Sequence, residues 1–246
     1  MIEEFRHDFN RRFTGAKYQQ FLLRLDARSG AHVKFRVCET PCFLPGELVR
    51  TMQSAGAELI HQLVDNKAYL AAARQQIPQG FVAPNETEQP LFLQVDFGLI
   101  RDGSGKLAPR LVEIQAFPSL YAYQPVLEDC YAEVYGIDPS LRTPPFDALL
   151  RRAIVGDHAP ENVILLEIDP LHQKTLPDFR LTERLCGIRT ADIRDVRRDG
   201  NKLYFEGRPV HRIYNRAIAD ELVRREVQAD FRFDDDLDVE WAGHPN

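Results

Sequence analysis

The sequence lacks any apolar run close to the roughly 20 residues that a bilayer span requires. Its first residues, MIEEFRHDFNRRF, carry too many charges for a signal peptide. We therefore expect no membrane partner and a cytoplasmic location.

Cysteine is scarce and poorly spaced for metal or redox chemistry. The four cysteines are Cys38, Cys42, Cys130 and Cys186. The first two are four positions apart, which is not the Cys-x-x-Cys spacing of a zinc or redox site, and His32 completes no recognised ligand pattern with them. Free, reduced thiols are the expectation.

An excess of basic charge is also missing. The 31 Lys and Arg residues are outnumbered by 37 Asp and Glu residues, which gives a net charge of −6 and an isoelectric point near 5.7. Non-specific nucleic-acid binding needs a basic face, so we expect no nucleic-acid partner. Arginine greatly outnumbers lysine, which leaves room for local arginine pockets that bind phosphate or carboxylate.

The 246 residues, of which 44% are hydrophobic and 28% charged, are enough to bury a full core. The pattern predicts an α/β protein. Residues 5–25 favour one or two short helices, residues 32–37 a strand, and the stretch after Pro45 one long helix or two in sequence. The proline-rich residues 77–90 predict a loop.

The second half predicts a small Rossmann-like unit. VILLEID is typical of a buried parallel strand and FRLTERLCGI of a helix that ends at Gly187. Further strands are expected at residues 190–193 and 210–214, with a hairpin turned by Asp-Gly-Asn between them. No Gly-x-Gly-x-x-Gly follows the first strand, which argues against dinucleotide binding. The acidic run near the C-terminus predicts a solvated loop.

A hairpin between Phe92 and Tyr123 carries the chemistry. Its two arms, FLQVDFGLI and LVEIQ, alternate apolar and polar residues around an Asp-Gly-Ser-Gly turn. If the chain folds symmetrically about Ser104 and Gly105, Asp96 lies opposite Glu113. Gln94 then lies opposite Gln115, and the alternation places Leu111 on the same face as the acids.

Two carboxylates that face each other across a sheet need a cation, a shared proton or an arginine. Mg²⁺ fits best, with Asp96, Glu113 and the amide oxygen of Gln115 as ligands. The alternative is an edge hairpin whose solvated acids pair with Arg101 or Arg110.

Substrate-binding candidates follow the strands. Asn215 and Arg216 come after the strand at 210–214, at the edge where open α/β sheets place ligands. The alternative for Arg216 is that it caps a neighbouring element or forms a salt bridge with a residue such as Asp220. Ser119 and Tyr121 emerge beside the hairpin, where Pro118 and Ser119 predict the start of a helix with a buried aromatic face.

The segment VDFGLIRDGSGKLAPRLVEIQ resembles the metal-binding hairpin of ATP-grasp ligases, whose usual form ends in Glu-x-Asn. Because a Rossmann-like unit follows it, the order of the two blocks resembles the circularly permuted ATP-grasp enzymes, which include the synthetase domain of glutathionylspermidine synthase. The resemblance covers roughly residues 91–222. It implies a partial ATP-grasp subdomain with its metal hairpin in residues 1–150 and a Rossmann-like unit in residues 151–246.

The resemblance implies ATP- and Mg²⁺-dependent formation of an amide bond from small-molecule carboxylate and amine substrates, through an acyl phosphate. Asp96, Glu113 and Gln115 would then bind the metal ions that bridge the ATP phosphates. Gln94 departs from the family, which often has arginine there, and the family's nucleotide-binding lysines have no counterpart. We therefore expect the chain to be the N-terminal part of a longer enzyme.

Two other functions compete with the ligase. The glutamines and the missing lysines are compatible with a non-catalytic metal or small-molecule binding module derived from the same fold. Metal-dependent phosphoester hydrolysis is less favoured, since His and further Asp ligands do not cluster. Ser or Cys nucleophile chemistry has no recognisable elbow or partner histidine.

Overall fold

The computed structural model describes residues 1–87 and 90–243, which form a mixed α/β fold. The first part is helical, with the bounds α1 (Glu3–Arg12), α2 (Gly15–Ser29), α3 (Gly46–Val64) and α4 (Lys67–Arg74). Two helices therefore follow Pro45, as one of the two predicted alternatives had it. The break between them is made by Asn66, whose side chain accepts a hydrogen bond from Tyr69 N at 3.0 Å and caps α4.

The strand predicted at residues 32–37 is wrong, because the backbone there is irregular. Asp26, near the end of α2, bonds this segment with both carboxylate oxygens. One accepts from Val33 N at 3.0 Å and the other lies 2.6 Å from the Nδ1 atom of His32. The Asp26 side chain thus bonds the backbone N–H group that a neighbouring strand would otherwise bond.

The predicted hairpin is present as β1 (Gln94–Arg101) and β2 (Leu107–Gln115), which pair antiparallel. In its turn, Oδ1 of Asp102 accepts from Ser104 N and Lys106 N at 2.9 and 3.0 Å. Helix α3 packs against one face, where a Cβ on Gly56 would lie 3.6 Å from the Val95 side chain. Two residues of the loop predicted at 77–90, Glu88 and Gln89, lie outside the described residues.

Two helices lead from the hairpin to the second half, α5 (Tyr123–Tyr135) and α6 (Asp147–Val155). The chain continues as β3 (Val163–Glu167), α7 (Leu176–Cys186), β4 (Arg189–Asp192), β5 (Arg197–Asp199), β6 (Lys202–Phe205), β7 (Arg208–Val210), β8 (Arg212–Asn215), α8 (Ala219–Arg224) and β9 (Glu240–Trp241). Gly187 ends α7 with φ 73°, as predicted.

The sheet of the second half runs in the order β4-β3-β8-β9, and all its pairs are parallel. The parallel strands predicted for this half are confirmed as β3, β4 and β8. Strands β5, β6 and β7 form a separate antiparallel sheet, whose turn at Gly200 has φ 61°. Since β3 is in the centre of its sheet, it is buried along its whole length.

Two apolar clusters cover the two faces of this sheet. Val163 and Leu165 belong to the first cluster and Ile164 and Leu166 to the second, as the alternation of a strand requires. The first cluster also contains Phe21 from α2, together with aromatic residues of α5. The predicted aromatic core of α5 is therefore confirmed, while the boundary at residue 150 stays a prediction.

The acidic segment after α8 is only partly the solvated loop that was predicted. Its backbone is irregular, but Phe231, Phe233 and Leu237 are buried in the second cluster between exposed and half-buried acids. The segment ends in β9, which adds a strand beside β8. Residues 244–246 lie outside the described part.

Within residues 1–87 and 90–243, none of the helices has both the length and the apolar character needed to cross a membrane.

Candidate functional site

The hairpin brings four side chains with oxygen atoms to one face. Asp96 lies opposite Glu113 and Gln94 opposite Gln115, so the predicted pairing is confirmed. Residues directly opposite in an antiparallel pair have Cβ atoms about 5 Å apart. The two carboxylates are therefore neighbours, and their role as metal ligands stays a prediction.

A β-bulge produces this pairing. Towards the turn, Phe97 pairs with Leu111 and Arg101 with Leu107, so the register shifts by one residue between Asp96 and Phe97, and Val112 is left over on β2. Leu111 consequently lies on the face opposite to Glu113, and the prediction that they share a face is wrong. Without the extra residue, Glu113 would point away from Asp96.

The glutamine amides, rather than arginines, meet the carboxylates. Nε2 of Gln115 donates to Oδ2 of Asp96 at 2.7 Å and to Oε1 of Glu113 at 2.6 Å. Nε2 of Gln94 donates to Oδ1 of Asp96 at 2.8 Å. Arg101, one of the arginines considered as a partner, bonds Gly105 O in the turn instead.

This donor set fits a hard cation. Each glutamine amide presents its oxygen instead of its nitrogen when it rotates about the terminal side-chain torsion. The two carboxylates and two amides then offer four groups with oxygen ligands, which Mg²⁺ prefers. Asp96 and Gln115 are half-buried and Glu113 is exposed, so the face is open to a ligand. In the described part of the chain, no group of three or more His, Cys, Asp or Glu side chains is placed to hold a metal. A metal here would therefore depend on the amide oxygens or on phosphate oxygens.

Arg216 ties the end of the hairpin to the edge of the parallel sheet. Its Nη1 donates to Pro118 O at 2.7 Å, and its guanidinium carbon lies 4.5 Å from the centre of the Phe117 ring. The salt bridge with Asp220 that was considered is not formed. Arg216 is half-buried at the carboxyl end of β8, where it was predicted to be.

Asn215 does not join Arg216 in facing a ligand. Its side chain is buried and bonds both backbone groups of Ala217, donating to the carbonyl oxygen at 3.0 Å and accepting from the N–H at 3.2 Å. These bonds shape the turn after β8, so Asn215 supports the site without offering free polar atoms.

The charges of both halves of the site act on Tyr121, whose ring centre lies 5.3 Å from that of Phe92. Burial raises the pKa of its hydroxyl, with Arg216 lowering it and Asp96 raising it to smaller extents, so both charged groups act on this side chain. Ser119 is half-buried in the same segment. The helix predicted to begin at Pro118 or Ser119 begins later, at Tyr123.

The delayed start of α5 is caused by Asp178, which the sequence did not indicate. The buried Asp178 carboxylate, on α7, accepts from Leu120 N at 3.1 Å and from Tyr123 N at 3.0 Å. It thereby caps α5 from another element and holds Leu120 at φ 68°. Burial raises the pKa of Asp178 to about 6, against the lowering effect of these N–H groups and of Arg216.

Glu167 is the second functional candidate that the sequence reasoning missed. It ends β3 at the same sheet edge as Arg216, is buried, and accepts from Ile168 N at 2.7 Å. Burial raises its pKa to about 7, while Arg216 acts in the opposite direction. An acid at the end of the apolar run VILLE, on the strand beside Arg216, was the available signal.

A scan against models of protein families found no match to this chain, and a search of curated proteins also found none.

Proposed function

We propose that this chain is part of an ATP- and Mg²⁺-dependent carboxylate–amine ligase that forms an amide bond through an acyl phosphate. The observation that carries the proposal is the pairing of Asp96 with Glu113 beside Gln94 and Gln115. A face of this composition, on a hairpin whose end is bonded by the half-buried Arg216 through Pro118 O, suits phosphate-bound metal next to an anionic substrate.

Asp96, Glu113 and Gln115 would hold Mg²⁺, which when bound neutralises charge on the nucleotide phosphates. Arg216 and Tyr121 bind and orient the substrate carboxylate, and Ser119 lies in the segment between them. The cytoplasm is the location proposed for this activity. The fold proposed for it is a circularly permuted ATP-grasp arrangement, with the metal hairpin in residues 1–150 and the Rossmann-like unit in residues 151–246.

The lysine nearest in sequence to the hairpin acids does not serve the metal face. Lys106, next to the turn, pairs with Glu47 on α3 at 2.9 Å. The cationic side chains that contact the nucleotide phosphates would therefore be residues other than Lys106.

Isothermal titration calorimetry with Mg²⁺ and with Mg²⁺-ATP tests the metal role. We expect wild-type protein to bind, and Asp96→Asn and Glu113→Gln each to weaken binding about tenfold or more, because each removes a charged oxygen ligand. Asp220→Asn, which removes an exposed acid outside the hairpin, is the matched control. Equal binding by all four proteins would exclude the metal site.

The competing function is a non-catalytic metal or small-molecule binding module. It is favoured by the amide donors that satisfy both carboxylates. Release of ADP, measured with mixtures of carboxylates and amines, separates the two functions. Turnover that depends on both substrates supports the ligase, whereas metal binding without turnover supports the module.

A further inference from the structure

A cleft of about 990 Å³ lies beside the proposed site. Loop 38–43 and helix α5 form two of its sides, and residues 137–150 form another. Its lining is predominantly apolar, with Phe43, Leu127, Ile137, Phe146 and Leu149 among the side chains that contact it. This volume is at the upper end of the range typical of small-molecule sites.

The charged groups in the wall of the cleft are already paired. Oε1 of Glu128 accepts from Thr143 N at 2.7 Å, and Arg142 forms an ion pair with Asp129. These are the two charged side chains among the described residues that line the cleft. The rest of the lining is predominantly apolar, so the interior favours an uncharged, apolar ligand body, because removing a further charge from water there is costly.

The cleft and a small recess at Arg216 share part of their walls. Leu91 and Phe92 line both the cleft and a small recess that contains Pro118, Asn215 and Arg216. Phe92 lies between the two, with its ring centre 5.3 Å from that of Tyr121 and 5.7 Å from that of Tyr214. Within residues 1–87 and 90–243, Pro118 O is the one hydrogen-bond acceptor of the Arg216 guanidinium. Among these described residues its other N–H groups have no acceptor, and they can bind an anion.

We infer that the cleft and the recess together bind a carboxylic acid with a long aliphatic or aromatic body. The body lies along the apolar wall formed by Leu127, Phe146 and Leu149, and the carboxylate is directed past Phe92 and Tyr121 to Arg216. This inference rests on the proposed function for the identity of the ligand as the acyl substrate. A bidentate arginine contact supplies the preference for a carboxylate head group.

Calorimetric titration with dodecanoate tests the inference, and is carried out in EDTA without ATP so that the metal site does not contribute. We expect dodecanoate to bind about tenfold or more tightly than butyrate, because the longer chain buries more apolar surface. It should also bind about tenfold more tightly than dodecyltrimethylammonium, which has the same chain and the opposite charge. Equal binding of all three probes, or of none, would overturn the inference.

Two variants locate the ligand. Leu149→Glu places a charge in the cleft at a side chain that is 60% exposed, and we expect it to weaken dodecanoate binding about tenfold. Val223→Glu makes the same change at a side chain on α8 that is 62% exposed and outside the cleft, and it should bind as wild type does. If Leu149→Glu binds as well as Val223→Glu, the ligand does not lie in this cleft.

Arg216→Gln should remove the preference for dodecanoate over the ammonium probe while leaving the effect of chain length. The head-group comparison in wild-type protein keeps the test valid if this variant does not fold. In the wild-type protein, absence of dodecanoate binding together with Mg²⁺ binding would overturn this inference alone, whereas dodecanoate binding together with absence of Mg²⁺ binding would overturn the proposed function.

Discussion

The carboxylate of Asp178 accepts a hydrogen bond from Leu120 N at 3.1 Å, across 58 residues of sequence. It also accepts from Tyr123 N, so one buried side chain fixes the start of α5 and the positive φ of Leu120. On the other side of Leu120, Arg216 holds Pro118 O. The segment that carries Ser119 and Tyr121 is thus held from two elements of the second half.

Asp178→Ala should lower the free energy of unfolding by about 2–4 kcal/mol, because two backbone N–H groups lose their acceptor in a buried place. Urea denaturation followed by circular dichroism measures this. Asp220→Ala, at an exposed position, is the control and should change stability by less than about 0.5 kcal/mol. Similar losses in the two variants would contradict the capping role of Asp178.

The pH dependence of stability should report Glu167. Burial raises its pKa from 4.5 to about 7, so between these values the folded protein binds more protons than the unfolded chain. The free energy of unfolding then falls as the pH rises through this window, by at most roughly 1.4 kcal/mol per pH unit.

Glu167→Gln should lose this contribution and show a flatter stability profile between pH 4.5 and 7, measured by urea denaturation at several pH values. Asp178, whose raised pKa acts in the same direction, is present in both proteins and does not affect the difference between them. Glu161→Gln, at an exposed acid, should retain the wild-type slope. A wild-type slope in Glu167→Gln would show that folding does not raise the pKa of the Glu167 carboxyl.

Gln115→Glu should make the stability of the protein depend on Mg²⁺. The change replaces the amide that donates to Asp96 and Glu113 by a third carboxylate, which repels both of them in the absence of metal. Bound Mg²⁺ should compensate, since carboxylate count increases affinity for hard cations.

The measurement is the thermal midpoint with EDTA and with Mg²⁺. The Mg²⁺-induced rise should be larger in Gln115→Glu than in wild type. Gln19→Glu adds the same charge at an exposed position on α2 and should show the wild-type rise. An unchanged rise in Gln115→Glu would mean that the ion does not bind at this face.

Gly56→Ala should stabilise the protein by about 1 kcal/mol, because alanine is the better helix former and its Cβ would meet Val95 and Phe97 at ordinary contact distances of 3.6–3.8 Å.

Gly200→Ala should destabilise the protein by about 1 kcal/mol, because Gly200 has φ 61°, which alanine adopts only with strain. No atom lies within 4 Å of the added Cβ, so the backbone conformation is the cause of the loss. Urea midpoints of the two variants on opposite sides of wild type would confirm both.

Patterns that are local in sequence predicted much of the fold. Apolar runs and alternation located β3, β4 and α7, and the glycine after α7 marked its end. The pattern of residues 32–37 was misleading because Asp26, on the preceding helix, bonds that backbone. The alternation of apolar and polar residues within a segment does not show that a side chain from another element will bond its backbone.

The site was predictable only in part, for a similar reason. The pairing of Asp96 with Glu113 was predicted by assuming a hairpin that is symmetric about Ser104 and Gly105. In the structure the turn is centred on Ser104 alone, which by itself would shift the pairing by one residue. The extra residue of the bulge, Val112, corrects this shift. No residue type in β2 demands a bulge. The role of Asp178 depends on α7 packing beside α5, which is a tertiary contact.

The bulge at Val112 separates two parts of the hairpin that have different strand registers. A change in the register of one part therefore need not change the register of the other. The register near the acids is set where Pro118 and Leu120 are held by Arg216 and Asp178, and the register near the tip is set by the turn. A residue gained or lost between 102 and 106 would alter the tip without moving Glu113 away from Asp96. Length variation during evolution would therefore be tolerated at the turn, and selected against between Glu113 and Leu120.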